Sequence, residues 1–160
     1  MRSIRLEALR DPIAWIAYIE TLAEAEDRPT EFWHERAAGA ALSDSAAQFV
    51  AEAGRDWVGT LTVLIAEPGA LDYFGRPAIV GRADVVAVYV RPSHRGRGIL
   101  GELMEAAADW ARTQGQTELA LDVHTDNPRA QTAYTRNGFV TTGEAWEGPH
   151  GIEREMVRAL

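Results

Sequence analysis

Residues 83–115, ADVVAVYVRPSHRGRGILGELMEAAADWARTQG, restrict the possible folds more than any other stretch of the chain. The β-branched run Val85-Val86-Ala87-Val88-Tyr89-Val90 has the length and composition of a buried strand. Pro92 ends it, because proline has no N–H to give a ladder. The compact loop His94-Arg95-Gly96-Arg97-Gly98 leads at once into a helical pattern. There Ile99, Leu100, Leu103, Met104, Ala107, Ala108 and Ala111 share one apolar face, and Gly115 supplies a C-cap. The unit is strand, glycine-rich basic loop, helix. Amides at the start of such a helix are unpaired and carry partial positive charge, which suits a phosphate. The glycines let that backbone approach a ligand closely.

Neither the Walker spacing nor the dinucleotide GxGxxG spacing is present. Arg95-x-x-Gly98-x-Leu100 instead resembles the phosphate loop of the Gcn5-related N-acetyltransferases (GNAT), whose amides hold the pyrophosphate of acetyl-coenzyme A. About thirty residues on, Asn127-Pro128-Arg129-Ala130-Gln131-Thr132-Ala133-Tyr134-Thr135-Arg136-Asn137-Gly138-Phe139 is similar to the family's later helix, which an Asn opens and which carries a Tyr two turns along. Leu100 departs from the pattern, standing where the family usually has Gly or Ala, with Gly101 next. The resemblance implies a mixed α/β fold with a central, mostly antiparallel sheet of six to seven strands and about four flanking helices. It implies that strands 84–90 and 117–123 splay apart to take the pantetheine arm, with backbone groups of Val88, Tyr89 and Val90 free to pair with it. Arg95, Gly96, Arg97, Gly98, Ile99, Leu100 and Gly101 would meet the pyrophosphate, Asn127, Ala130 and Tyr134 would line the arm, and Arg136 would face the 3′-phosphate or adenine end.

The implied reaction is direct transfer of acetyl from the thioester to a primary amine in a ternary complex, with no metal. An alkyl ammonium has a pKa of about 10.4, so a base must remove a proton before it attacks, and an acid should protonate the leaving thiolate. Tyr134 matches the family's acid. Asp84 lies eleven residues before Arg95, where some relatives carry a Glu base, and Glu31, Glu118 and His124 are alternatives. Taken singly, Asn127 reads as a helix cap, Tyr134 as a core aromatic and Asp84 as a strand-end turn residue. A non-catalytic coenzyme A-binding sensor or interaction module on the same fold is the competing class, and Leu100 favours it.

The whole chain sets bounds. At 160 residues it reads as one domain, residues 1–160. It has no cysteine, hence no thiolate nucleophile or thiolate metal site. No apolar run reaches membrane-spanning length, so a cytoplasmic protein off the membrane is expected, as a monomer or homodimer. The net charge of -8 argues against nucleic acid and for a cationic acceptor. All sixteen basic side chains are Arg, and Arg91, His94, Arg95 and Arg97 form the densest basic patch, beside the phosphate loop.

Elsewhere, Ser3 to Leu9 alternates like a half-buried strand. Asp11-Pro12 starts a helix expected to run to Ala25, and Thr30 a second one to Ala41. These two carry Glu20, Glu24, Glu26, Asp27, Glu31 and Glu35, either a solvated face or an acidic rim for the acceptor. Residues 48–52 and 57–65 form a hairpin. Residues 67–82 are a long loop with a short strand at 79–80, in which Tyr73 and Phe74 meet a ligand or pack on the core edge. Strands follow at 117–123, 139–142 and 152–160, with a loop at 144–151.

Overall fold

The computed structural model describes the backbone of residues 1–160 and every side chain except that of Leu42. Six strands, β1 (Ala46–Ala53), β2 (Asp56–Leu64), β3 (Arg82–Val90), β4 (Glu118–His124), β5 (Val140–Gly148) and β6 (Gly151–Ala159), form one sheet in the order β1-β2-β3-β4-β6-β5. All neighbouring pairs run antiparallel except β3 and β4. That parallel pair needs a crossover, and the amphipathic helix after the glycine-rich loop supplies it. The helices are α1 (Arg2–Leu9), α2 (Leu22–Asp27), α3 (Thr30–Leu42), α4 (Ile99–Thr113) and α5 (Pro128–Arg136).

Alternation along each strand gives the sheet two different faces. On one, α4 buries Leu103, Met104, Ala107, Ala108 and Ala111 against Leu61, Val63, Ala83, Val85, Leu119, Leu121, Val123 and Met156. A fully buried Leu such as Leu61 or Leu119 contributes roughly 1.5–3 kcal/mol, and the three alanines let the helix sit close. Phe139, after α5, closes that core. The other face carries buried polar side chains, among them Thr60, Thr62, Asp84, His124 and Glu153.

Four segments differ from expectation. Residues 3–9 form α1, not a strand, because Ile4, Leu6, Ala8 and Leu9 fit both periods: Ile4 and Ala8 pack beside Tyr89, and Leu6 and Leu9 beside Ala25 and Trp33. The helix expected to Ala25 is a 3₁₀ turn, Ala14–Ile16, followed by a break and α2. A capping box restarts the helix there: Glu24 N–H donates to Thr21 Oγ1 at 3.3 Å and Thr21 N–H to Glu24 Oε2 at 2.8 Å. Residues 79–80 form no strand, and the long loop holds one isolated bridge, Leu71 to Pro77. Residues 144–148 belong to β5, which turns through Pro149-His150 into β6. A smaller difference is that Thr30 begins α3 without capping it.

Candidate functional site

The β3–β4 ladder runs only from Arg82↔Glu118 to Asp84↔Ala120. Beyond Asp84 the strands part, as the resemblance implied. The same strand is irregular on its other edge. Thr60 pairs with Tyr89 and Thr62 with Val86, so Ala87 and Val88 stand opposite Leu61 alone. This is a β-bulge, and Ala87 takes φ 54, a left-handed value rare outside glycine. The carbonyl of Val88 accepts a hydrogen bond from Tyr18 Oη at 3.0 Å, so it is engaged by the chain itself.

A cavity of about 750 Å³ opens from this split between α4, α5 and the segment 8–18. Of the residues expected to hold the cofactor, Val88, Tyr89, Val90, Arg95, Gly96, Gly98, Ile99, Leu100, Gly101, Asn127, Ala130, Tyr134 and Arg136 line it. Arg97 is exposed and does not. Gly98 caps α4 at φ 85 and no side chain caps the helix, so its first amides remain free for a ligand. Leu100 packs against the core cluster while it also borders the cavity. Gly101 serves a different approach: a Cβ there would meet Asn137 Oδ1 at 3.0 Å.

Arg95 is committed within the chain. Its Nε donates to the Val90 carbonyl at 2.8 Å and its Nη2 pairs with Asp11 at 2.7 Å. It thereby ties the loop to the segment before the 3₁₀ turn. Asn127 Oδ1 accepts from Ala130 N at 3.2 Å, so Asn127 is the cap of α5 as well as a wall of the cavity. Tyr134 faces the cavity with no hydrogen-bond partner among the described residues, and burial raises its pKa to about 12, so it holds its proton at neutral pH. Tyr18 and Asp11 were missed as site residues in the sequence. Tyr18 carries no local signal, and Asp11 was legible only as a helix start.

Asp84 does not line this cavity. It lies in a second pocket of about 230 Å³, with Asp72, Arg76, Arg82, Glu144, Trp146 and Glu155 among its walls. Asp84 is 8% exposed and has no hydrogen-bond partner among the described residues. Desolvation first, then the neighbouring Asp72, raises its pKa to about 6. Asp72, Asp122, Glu118 and Glu155 are matched by cations. Asp122 accepts from Arg76 Nη2 at 2.7 Å, Arg76 Nη1 at 3.2 Å, Trp146 Nε1 at 3.0 Å and Tyr73 Oη at 3.1 Å. Asp72 pairs with Arg76 Nε at 2.7 Å, and the Arg76 guanidinium lies over the rings of Trp146 and Phe74 at 5.0 and 5.3 Å. Glu118 and Glu155 both pair with Arg82. Tyr73 and Phe74 thus pack into this clamp on the loop 67–81.

The remaining candidate bases are placed differently. His124 Nδ1 accepts from Asp126 N at 3.0 Å, which leaves Nε2 to donate to the His150 carbonyl at 3.0 Å, so neither nitrogen is free. Glu31 is exposed on α3. The proposed acidic rim is neutralised in part: Glu20 pairs with Arg5 and Arg28, Glu26 with Arg10, and Glu24 caps α2, while Asp27, Glu31 and Glu35 make no ion pair among the described residues. No described helix is long and apolar enough to cross a membrane.

The model of the acetyltransferase (GNAT) family matches residues 11–139. Streptothricin acetyltransferase of Streptomyces lavendulae is 39% identical over 83 residues, covering 47% of this chain and 44% of that protein. N-acetyltransferase 8B of Rattus norvegicus is 35% identical over 104 residues, covering 64% of this chain and 44% of that protein. The chain thus spans less than half the length of these curated relatives. Among solved structures, the PaiA N-acetyltransferase of Thermoplasma acidophilum in complex with coenzyme A shares the fold, with a TM-score of 0.71 at 16% identity over 99% of this chain and 90% of that one. The family match takes in the split strand, the loop at the head of α4 and the Asn127 segment together, and the chain belongs to the acetyltransferase (GNAT) family.

Proposed function

We propose that this chain transfers an acetyl group from acetyl-coenzyme A to a primary amine on a cationic acceptor, by direct attack in a ternary complex. The observation that carries this reading is the split beyond Asp84, with a cavity walled by free helix amides on one side and an acid-lined pocket on the other. The residues present fit the coenzyme. Uncapped amides of Ile99, Leu100 and Gly101 and the positive-φ Gly98 suit a pyrophosphate, and Arg129 and Arg136 line the same cavity. Bound there, acetyl-coenzyme A supplies the activated acetyl group. Asp84, ionised at neutral pH, accepts the ammonium proton directly or through one water. Tyr134, protonated at neutral pH, donates to the sulfur as the carbon–sulfur bond breaks and the carbon–nitrogen bond forms. The acceptor enters by the Asp84 pocket, whose four carboxylates outnumber its two arginines. Helices α2 and α3, suggested by the sequence, place none of their acids in either pocket.

Thiol release from acetyl-coenzyme A tests this with a panel of cationic, neutral and anionic amines, streptothricin included, at low and high salt. The N-terminal amine is blocked, since a chain without Lys has no other amine to label itself. Cations should be preferred, and their kcat/KM should fall as salt screens the pocket. Asp84→Asn should lower kcat/KM roughly 10²–10⁴-fold and abolish the acid limb near pH 6. A preference for neutral or anionic amines, or an unaltered limb in Asp84→Asn, would overturn the acceptor or the base respectively.

A further inference from the structure

A void of about 20 Å³ lies on the polar face of the sheet, under α1 and α3 and against the bulge at Ala87. Two residues that line it carry a buried hydrogen-bond donor with no partner among the described residues: Arg5 Nη1 and Trp33 Nε1. Trp33 is 4% exposed, so water at the surface does not serve its indole N–H. Buried donors are nearly always paired, and each exception calls for an occupant or an account of strain. Arg5 has used its other nitrogens. Its Nε and Nη2 both reach Glu20 Oε2 at 3.1 Å, and its guanidinium stacks on the Tyr18 ring at 4.3 Å, which leaves Nη1 for the void. The nearby acceptors are partly spent on one another: Gln48 Nε2 donates to Thr60 Oγ1 at 3.1 Å, and Thr60 Oγ1 to the Phe49 carbonyl at 3.0 Å.

Charge points the same way. The charged side chains that act on Arg36, which lines the void, are Arg5, Arg28 and Glu20. Glu20 is shared between Arg5 and Arg28, and Arg36 has no ion pair among the described residues. Three guanidinium groups therefore face one carboxylate, in a chain whose overall charge is -8. Burial first, and then Arg5, depresses the pKa of Arg36, the response of a cation short of counter-charge. Arg36 is exposed on its outer side, which leaves a way in.

We propose that this void binds one small monovalent anion of the halide class, held by Arg5 Nη1, Trp33 Nε1 and the charge of Arg36. The space takes a single occupant of about water size, so sulfate and phosphate are excluded. The site also has a reach into the cleft. An anion that fixes Arg5 also fixes the ring of Tyr18 stacked on it, and Tyr18 holds the Val88 carbonyl. The proposal does not depend on the acetyl-transfer reading.

Thermal unfolding of the full chain in sodium chloride, bromide and gluconate at matched ionic strength tests it. Chloride and bromide should raise the melting temperature saturably, by a few degrees, relative to gluconate. Trp33→Phe, which keeps an aromatic ring but loses the N–H, and Arg36→Gln should each flatten that response. A crystal soaked in bromide should show an anomalous peak between Arg5 and Trp33. Equal melting temperatures in all three salts would mean that water alone fills the void, and would overturn the proposal. So would a halide response kept in both variants, since binding would then lie elsewhere. If Trp33→Phe does not fold, Arg36→Gln and the bromide peak still decide.

Discussion

At the C-terminal end of β3 the large cavity is walled by the free amides of α4, by alanine and tyrosine side chains and by Arg95, Arg129 and Arg136. At the N-terminal end of the same strand the small pocket is walled by Asp72, Asp84, Glu144 and Glu155 against Arg76 and Arg82. The two ends stand apart by only the few residues between Asp84 and the bulge at Ala87. Electrostatics therefore sorts two ligands on one strand: an anionic one is favoured where backbone dipoles converge, a cationic one where carboxylates outnumber arginines. The contrast extends to proton affinity. Burial keeps both Tyr134 and Asp84 protonated to higher pH than usual, but the same cause leaves the phenol a donor and the carboxylate a near-neutral base.

The largest expected effect breaks the cavity's half of the comparison. Tyr134→Phe should lower kcat roughly 10²–10⁴-fold while cofactor affinity and melting temperature stay near wild type, because only a hydroxyl without a hydrogen-bond partner is lost. A wild-type kcat would make Tyr134 a core aromatic packed on Phe139. Next, Gly98→Asp forces φ 85 on a residue with a Cβ and sets a negative charge at the helix start. Calorimetry with coenzyme A should then show roughly a hundredfold loss of affinity, from a lost charge-assisted contact of roughly 1.5–3 kcal/mol. Unchanged binding would remove the loop from the site.

The pocket's half is tested by stability. Unfolded Asp84 loses its proton near pH 3.8 and the folded residue near 6. Between those values the folded chain holds the extra proton, so this group lowers stability as pH rises through the window. Asp84→Asn should therefore be more stable than wild type at pH 7, by about 1–3 kcal/mol, and equal to it below pH 3.8. Urea unfolding at the two pH values checks this, and a variant less stable at pH 7 would show that Asp84 is compensated after all. The smallest effect sharpens the comparison. Arg76→Gln removes a cation that lowers the pKa of Asp84, so the acid limb of the pH–rate profile should move up by at most about one unit. A limb that stays in place, in a folded variant, would confine Arg76 to pinning the loop.

Much of this was legible locally. The Val85–Val90 run, Pro92, Gly98 and the apolar face from Ile99 to Ala111 led directly to β3, the turn and α4, and Asn127-Pro128 to the cap of α5. The first thirty residues were less legible. Ile4, Leu6, Ala8 and Leu9 satisfy strand and helix periods alike, and only packing beside Tyr89 and Trp33 decides. The Thr21–Glu24 box was present as a start signal, but it fell inside a run of apolar residues that read as one helix.

What the amino-acid sequence determined by itself is the set of elements whose causes lie within a few residues: β-branched runs, a proline that ends a strand, glycines at positive φ, an apolar stripe that must be buried. It also determined the loop that suits a phosphate and the cluster of arginines around it. Tertiary structure alone decided where β3 and β4 part, that Ala87 bulges, that Tyr18 takes the Val88 carbonyl, and that Asp84 faces a pocket apart from Tyr134. It also decided which charges remain: Glu20 and Glu26 are neutralised from α1, Arg10 and Arg28, while Asp84 is left unpaired between Asp72 and Asp122. Register, burial and ion pairing depend on partners tens of residues away, and no local pattern of residues encodes which partner arrives.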